Sequence, residues 1–528
     1  MVRATVDGTG LDVHVHARRW WILGVLCLSL SIVMVANASL NVALPAMARD
    51  LDASSGALQW IVDSYALVFA GMLFTAGTLG DRFGRKGALQ GGLGLFMVAA
   101  VFGLLADSAA EVIAARAVMG LAAAFVMPST LSILTNVFSP SERPRAIALW
   151  AGIAAGGAAL GPPTTGLLLE HFWWGTVFLV NVPLVLVALV AGRRLVPRSK
   201  DPDEHQLDVP GAALSILGVG ALVYAIIEAP HWGWLSAQTV IAFAFAALAL
   251  ALFAVRERTA TVPMLDLRLF RDRRFSVASA GIALAFFTMF GMFFLLTQYL
   301  QLVLGYSPLR AGLMFIPVSL TMMVASPQAP KLVARFGLGR VVSAGFSLIL
   351  LGLLAIATLN DGSPLWRIYF AWIPMVLGLA STMSPLTSLI MSSVPTGRAG
   401  IGSAMNDTTR ELGGALGVAV LGSLVTTMFT SSLDPQLEAL PAAAREDAHS
   451  GLTGALQVAR NLGDTGPALA DAARDAFVDG LTVAALTAAV VIAVTALCAR
   501  RLLPRDVTSP RLPVVAVEVR AAELVADD

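Results

Sequence analysis

The feature that most limits what this chain can fold into is a series of fourteen apolar stretches, each near the ~20 residues a helix needs to cross bilayer hydrocarbon. They lie at 20–44, 57–79, 88–106, 111–134, 144–169, 173–195, 209–229, 237–255, 275–302, 309–330, 339–359, 366–391, 401–427 and 478–502. In hydrocarbon every backbone N–H and C=O must be satisfied inside the protein, and stretches of this length do so as helices. Composition agrees, with 57% of the 528 residues hydrophobic and 13% charged, where a soluble domain carries about 25% charged residues. The expected fold class is all-α and integral to a membrane, with 14 transmembrane helices. The first stretch follows Arg18 and Arg19 and, at ~25 residues, is long for a signal peptide, so it reads as a retained anchor. Cys27 and Cys498 sit in apolar stretches and read as packing residues.

Charge placement sets the expected orientation. Of the 35 Lys and Arg, twenty-seven fall in the N-terminus, the even-numbered loops and the C-terminal tail, and five in the odd-numbered loops. The positive-inside rule then puts both termini in the cytoplasm. Thirty-two of the 35 are arginine, a bias associated with high-GC bacterial genes, which makes a bacterial cytoplasmic membrane the expected location. The net charge of +1 gives no general pull towards nucleic acid. The lipid bilayer is the expected surrounding, no nucleic-acid partner is expected, and the chain reads as a monomer.

An internal repeat divides the chain. Leu79, Arg82, Phe83 and Gly84 in LGDRFG recur as Leu332, Arg335, Phe336 and Gly337 in LVARFG, and the Gly157–Gly161 pair recurs as Gly413 and Gly417. Two matches at nearly one offset imply two related halves of six helices. The expected organisation is a cytoplasmic N-terminus at 1–19, a six-helix bundle at 20–195, two inserted helices at 209–255, a second six-helix bundle at 275–502 with an extracellular segment at 428–477, and a cytoplasmic tail at 503–528. Repeats of this kind occur in transporters whose binding site lies where the halves meet.

The thirteenth stretch, GIGSAMNDTTRELGGALGVAVLGSLV, carries Asp407, Arg410 and Glu411, although one charge at the bilayer centre costs at least ~2.5 kcal/mol. On a helix Asp407 and Glu411 project within about 40° of each other, with Arg410 close by. One guanidinium cannot pair fully with both acids, which leaves a carboxyl able to load a proton on one side and release it on the other. The competing reading is a structural cluster that fixes helix packing, with a second arginine such as Arg116 supplying the missing charge. In GTLGDRFGRK, Gly77 and Gly84 allow a tight turn, while Arg82, Arg85 and Lys86 hold it in the cytoplasm. Asp81 can stabilise a neighbouring helix N-terminus or pair with an arginine, as a latch; topology signalling alone is the alternative. Gly157, Gly161 and Pro162 in GAALGPPTTG permit close helix contact and a kink.

Together these motifs carry a resemblance. GTLGDRFGRK matches the loop signature of the major facilitator superfamily, and GAALGPPTTG resembles its span-five antiporter motif. NVALP, WIVDSYAL, FLVNVP, MLDLRLF and GYSPLRAGL, in that order, are similar to the fourteen-span drug/proton antiporters of the quaternary-ammonium and multidrug efflux type. The resemblance implies the major facilitator fold, two six-helix bundles plus two inserted helices, and proton-coupled export of a drug-like substrate. It also implies that Asp63 handles substrate or proton and that Arg116, in RAVMG, takes part in proton transfer. For each there is a plainer reading, a helix-end cap for Asp63 and a polar partner for Arg116.

The sequence departs from that pattern at Thr165, where a glycine is usual, and at Ala36, Met322 and Asn406, where acids can stand. The expected pocket is less anionic, which favours monocationic, zwitterionic or neutral lipophilic drugs and antibiotics over dications. A dedicated self-resistance exporter of one natural product fits the same residues. None of the three lysines follows a glycine, so the chain has no P-loop. The expected energy source is the proton gradient, without cofactor or metal. No nucleophile motif appears, so the chain does not read as an enzyme; a membrane-embedded enzyme or sensor, and a facilitator or importer, are the alternatives of other kinds. All six histidines fall outside the fourteen stretches, which assigns proton coupling to carboxylates.

Overall fold

The computed structural model describes residues 13–53, 55–200, 208–260, 263–437, 440–449, 451–463 and 466–503. The first twelve residues and the tail beyond 503, assigned above to the cytoplasm, lie outside the described residues. Among the described residues the regular structure is helical, with no strand. The long helices are α1 (Val13–Asp50), α2 (Ser55–Phe83), α3 (Arg85–Leu104), α4 (Ala109–Val137), α5 (Arg143–Leu169), α6 (Thr176–Leu195, interrupted at Val180), α7 (Val209–Trp232) and α8 (Ala237–Thr259). They continue as α9 (Arg273–Val303), α10 (Leu309–Phe336), α11 (Leu338–Ile356), α12 (Leu365–Ser392), α13 (Ala399–Leu437) and α14 (Gly466–Leu502). Thirteen of these are long and apolar enough to cross a membrane. The fourteenth is α5, whose 27 residues span ~40 Å at 1.5 Å per residue.

Local chemistry sets several helix starts. Ser108, Ser236 and Ser307 each accept a hydrogen bond from the N–H three residues on, at the heads of α4, α8 and α10. These caps satisfy donors that hydrocarbon would leave unpaired.

The packing repeats between halves. In the first half α1 packs on α5, α2 on α4, and α3 on α4 and α6; in the second, α9 packs on α13, α10 on α12, and α11 on α12 and α14. Each half has its own buried apolar core, and Met405 packs against both. The repeated sequences occupy equivalent places. Gly157 and Gly161 bring α5 against Ser31, Val35 and Ala38 of α1, and Gly413 and Gly417 bring α13 against the carbonyls of Ala283 and Phe287 in α9. Gly84 and Gly337 both turn the chain at positive φ, 116° and 85°, where a side chain is strained. Beside them Arg82 lies over Phe83 at 5.0 Å and Arg335 over Phe336 at 5.3 Å.

The halves meet along two seams, α2 with α13 and α5 with α10. The inserted α7 and α8 form a hairpin, and α7 leans on α2 and α13, with Gly71 close to Ile216 and Gly220. Helix boundaries run past the apolar windows. α13 continues to Leu437, α14 begins at Gly466, and two short helices, Ala442–His449 and Leu452–Asn461, stand between them. A hydropathy window ends where hydrocarbon ends, whereas a helix goes on through polar residues.

Gly378 in α12 faces the Gly345 carbonyl and Ile349 of α11, leaving no room for a methyl group, while Gly94 in α3 has open space. Overpacking costs about 1–3 kcal/mol. Gly378→Ala is therefore expected to lower the unfolding midpoint of detergent-purified protein, and Gly94→Ala, which gains helix propensity with room for the methyl group, to raise it slightly, as read by thermal scanning fluorimetry.

Candidate functional site

At the arginine-rich end of the α2–α13 seam, Asp81 does two things at once. Its carboxylate accepts from the Arg85 Nε at 2.7 Å, and from the N–H groups of Gly400 at 2.8 Å and Ile401 at 3.3 Å. Those N–H groups open α13, so a carboxylate from one half caps a helix of the other, where the dipole favours negative charge. Ser132 adds a longer contact at 3.4 Å. Arg85 reaches across as well, donating to the Gly397 carbonyl at 2.7 Å. Asp81 is 4% and Arg85 1% exposed, so the charges are paired out of water. Gly77 makes the approach possible, since a methyl there would lie 2.7 Å from the Gly400 carbonyl. The other basic residues of the motif stay within their half. Lys86 donates to the Arg193 and Val196 carbonyls at the end of α6, and Arg82 rests on Phe83.

Further along the same face of α13 lie the two acids. Gly400 and Ala404 meet Gly77 of α2, and helical periodicity carries this stripe on to Asp407 and Glu411. The Asp407 side chain is fully buried and its Oδ1 stands 3.6 Å from the Arg410 Nη1. Asn406 donates to that oxygen at 3.2 Å and itself accepts from Thr387 at 3.0 Å. The Asp407 Oδ2 and the Arg410 Nε are buried without a partner, and the Arg410 guanidinium lies 4.6 Å over the Phe286 ring of α9. Glu411 is part-buried and, among the described residues, forms no ion pair; it lies within electrostatic reach of Tyr65 on α2. The pair is thus far less satisfied than Asp81, and a buried carboxylate without donors is costly. This arrangement can hold a proton.

Arg116 belongs to a different set. It is fully buried, donates to the Ile61 carbonyl at 3.1 Å and Asn37 Oδ1 at 3.0 Å, and stacks 4.3 Å over the Tyr65 ring. It does not supply the charge missing beside Asp407 and Glu411; Tyr65 stands between the two sets. Asp63 is apart from both, facing α7, with Gln59, Glu228 and His231 as neighbours. In span five, Gly157 and Gly161 face α1, whereas Pro162 lies against Gly312 of α10, on the second seam.

Several of these partners were not singled out from sequence. Tyr65 is two residues beyond Asp63 in WIVDSYAL, and Asn37 is the polar neighbour of Ala36. His231 corrects an expectation directly. The seventh window stops at 229 because Pro230 and His231 end its apolar run, but α7 continues to Trp232, and α1 begins at Val13, ahead of its window, so His231, His14 and His16 all sit in spanning helices. Among the described residues no group of three or more His, Cys, Asp or Glu is placed to hold a metal.

A family model for the Major Facilitator Superfamily matches residues 26–418. The chain is 37% identical over 489 residues to the multidrug efflux pump LfrA of Mycolicibacterium smegmatis, covering 92% of this chain and 97% of that one. It is 34% identical over 507 residues to the tetracenomycin C resistance and export protein of Streptomyces glaucescens, covering 93% and 94%. Among solved structures, the proton:xylose symporter XylE superposes with a TM-score of 0.58 at 15% identity, over 92% of this chain and 96% of that one.

Asp81→Asn keeps the size of the side chain and removes its charge. Hydrogen bonds to a charged group are worth about 1.5–3 kcal/mol, so the population opened at the arginine-rich end is expected to rise at least about tenfold. Distances between spin labels on the loops flanking α2 and α13 at that end report it, in a background where the exposed Cys498 is replaced by serine.

Proposed function

Because this chain belongs to the major facilitator superfamily, we propose that it exports lipophilic, monocationic or neutral drugs or antibiotics from the bacterial cytoplasm by alternating access, with protons moving inward in exchange. It is a multi-pass membrane protein of the bacterial inner membrane and a transporter rather than an enzyme. Relatives named as efflux pump and as resistance and export protein support the direction and the substrate class. Both termini are cytoplasmic in this reading, because the Lys- and Arg-rich loops share their end of the bundle. The chain works as a monomer, with the proton gradient as its energy source.

The observation that carries the reading is the placement of Asp407 and Glu411. They lie on the face of α13 that meets the other half, buried or part-buried, with one arginine at 3.6 Å from the first and no ion-pair partner for the second among the described residues. In the cycle, drug entering from the cytoplasm displaces protons from these carboxyls once the Asp81 latch has opened. Reclosing of the latch then exposes the site to the outside, where protons return and drug leaves. Differential affinity of drug and proton for the same carboxyls is what couples the two flows. The phenyl ring of Phe286 and the phenol of Tyr65 line the neighbourhood of the acids, each with a guanidinium over its face, Arg410 and Arg116.

A dedicated self-resistance exporter for one natural product is the second reading, favoured by the tetracenomycin C relative. A drug-accumulation panel in an efflux-deficient host separates a narrow substrate range from a broad one. In the same host, Asp407→Asn and Glu411→Gln are each expected to reduce export of the drugs the wild type handles by about tenfold or more, ~1.4 kcal/mol in coupling. Unchanged export in both variants removes the coupling assignment. Proteoliposomes with an imposed pH gradient distinguish an antiporter, which moves protons with drug, from a facilitator, which moves drug alone.

A further inference from the structure

The inserted hairpin hands the chain on to the second half through MLDLRLF, Met264 to Phe270, at the arginine-rich end. At the foot of the hairpin Asp208 caps α7, accepting from the Gly211 N–H at 3.1 Å, and is held by the Arg256 Nε at 3.1 Å. The next residue, Glu257, is 4% exposed. Its Oε1 faces Gly211 and is buried without a partner, while its Oε2 accepts from the Leu265 N–H at 2.9 Å. A carboxylate so buried is costly where donors are few. The donor it has comes from MLDLRLF.

The same few residues reach the start of α13. Leu265 is buried in the first-half core, which also takes in Phe253 of α8 and Ala399, Ile401 and Ala404 of α13. Two residues earlier the Pro263 carbonyl accepts from the Arg398 Nη1 at 3.4 Å. Arg398 ends the turn Thr396–Arg398 that leads into α13, and the Gly397 carbonyl of that turn accepts from Arg85. Beyond Leu265, Asp266 accepts from the Arg268 N–H at 2.9 Å and starts the single turn Leu267–Arg271 that runs on towards α9.

We propose that residues 263–267 are a strap that closes the arginine-rich end a second time, with Glu257 and Arg398 as the positioning residues that fasten it. The proposal rests on the alternating-access reading above, in which this end opens. The turn before α13 is grasped from two sides, by Arg85 of the first half and by the strap. The hairpin packs more extensively on α2 than on α13, so when α2 and α13 part, the foot of the hairpin draws away from that turn and the strap cannot keep both fastenings. Geometry decides which one gives way. The Glu257 bond is short, out of water and made to a carboxylate, and releasing it would also pull the Leu265 side chain out of the core. The Arg398 bond is long for an N–H donor and half-buried. Arg398 therefore lets go of Pro263, and the strap stays with the hairpin.

The test measures distances between spin labels on the loops flanking α2 and α13 at this end, in the full chain in lipid nanodiscs with Cys498→Ser as background. Arg398→Met keeps the length of the side chain and removes its donors; Glu257→Leu fills the same space without an acceptor. Arg398→Met is expected to raise the open population about three- to fivefold at an unchanged unfolding midpoint, which separates a loosened gate from a loosened fold. Glu257→Leu is expected to raise it at least as much. An open population unchanged in both variants, while Asp81→Asn raises it, overturns the strap and leaves the latch and the alternating-access reading standing. If Asp81→Asn is without effect as well, opening at this end fails and the strap fails with it.

Discussion

A carboxylate taken out of water between helices needs donors, and on one seam of this protein two such groups are treated in opposite ways. Asp81 accepts from Arg85 and from the first N–H groups of α13. Asp407 has one arginine at 3.6 Å, one amide donor, and a buried oxygen without a partner. A fully satisfied buried charge holds its surroundings in one geometry, while an under-satisfied one is poised to change its protonation. Both acids act on α13, the first at its N-terminus and the second two turns along. A movement of α13 that breaks the Asp81 contacts therefore reaches Asp407 and Glu411 through one rigid helix.

The repeat makes the asymmetry between seams informative. The position equivalent to Asp81 in the second half is Ala334, so among the described residues the charged latch is found at one of the two seams. At the other, α5 and α10 are joined by the Ser326 hydroxyl donating to the Ala148 carbonyl at 2.8 Å and by Met323 packed on Gly152. Equivalent glycines allow close approach of the equivalent helix pair in both halves, Gly157 and Gly161 matching Gly413 and Gly417. Backbone architecture has been kept symmetric and the charges have not. Central acids on α13 have no counterpart on α5, where the equivalent stretch is alanine- and glycine-rich.

Legibility from sequence follows the range of the interactions. Helix number and the pairing of halves were readable because apolar length and repeated motifs are local properties, and the Arg410 contact to Asp407 was readable because it lies three residues away on one helix. For Asp81 the kinds of partner, an arginine and a helix N-terminus, were readable, and Arg85 lies four residues away; which helix it caps was not, because Gly400 lies 319 residues on, and a backbone N–H carries no mark in the sequence. Arg116 misled for a related reason. Charge counting offers it to the acids, but a flat guanidinium also stacks on aromatic rings, and Tyr65 together with Asn37 and the Ile61 carbonyl takes it first. His231 was lost at a helix boundary, where Pro230 ends the apolar pattern but not the hydrogen-bonded turns.

A site that faces one side at a time needs different closures at its two ends, and the closures here differ in kind. The arginine-rich end is held by a charged latch out of water, which geometry either satisfies or leaves costly, so it opens in an all-or-none way. Towards the other end the α2–α13 seam is bordered by the inserted hairpin, which reaches α13 through the Trp234 Nε1 donating to Ser423 at 2.9 Å. On its other side α7 is fixed to α2, through Gln59 and His231 and the close approach at Gly71. The hairpin packs more extensively on α2 than on α13, and its hydrogen bond to α13 is a neutral one, worth about half a charged one. The arginine-rich end has the stronger closure, and the opposite end, where a neutral hydrogen bond joins the hairpin to α13, has the weaker.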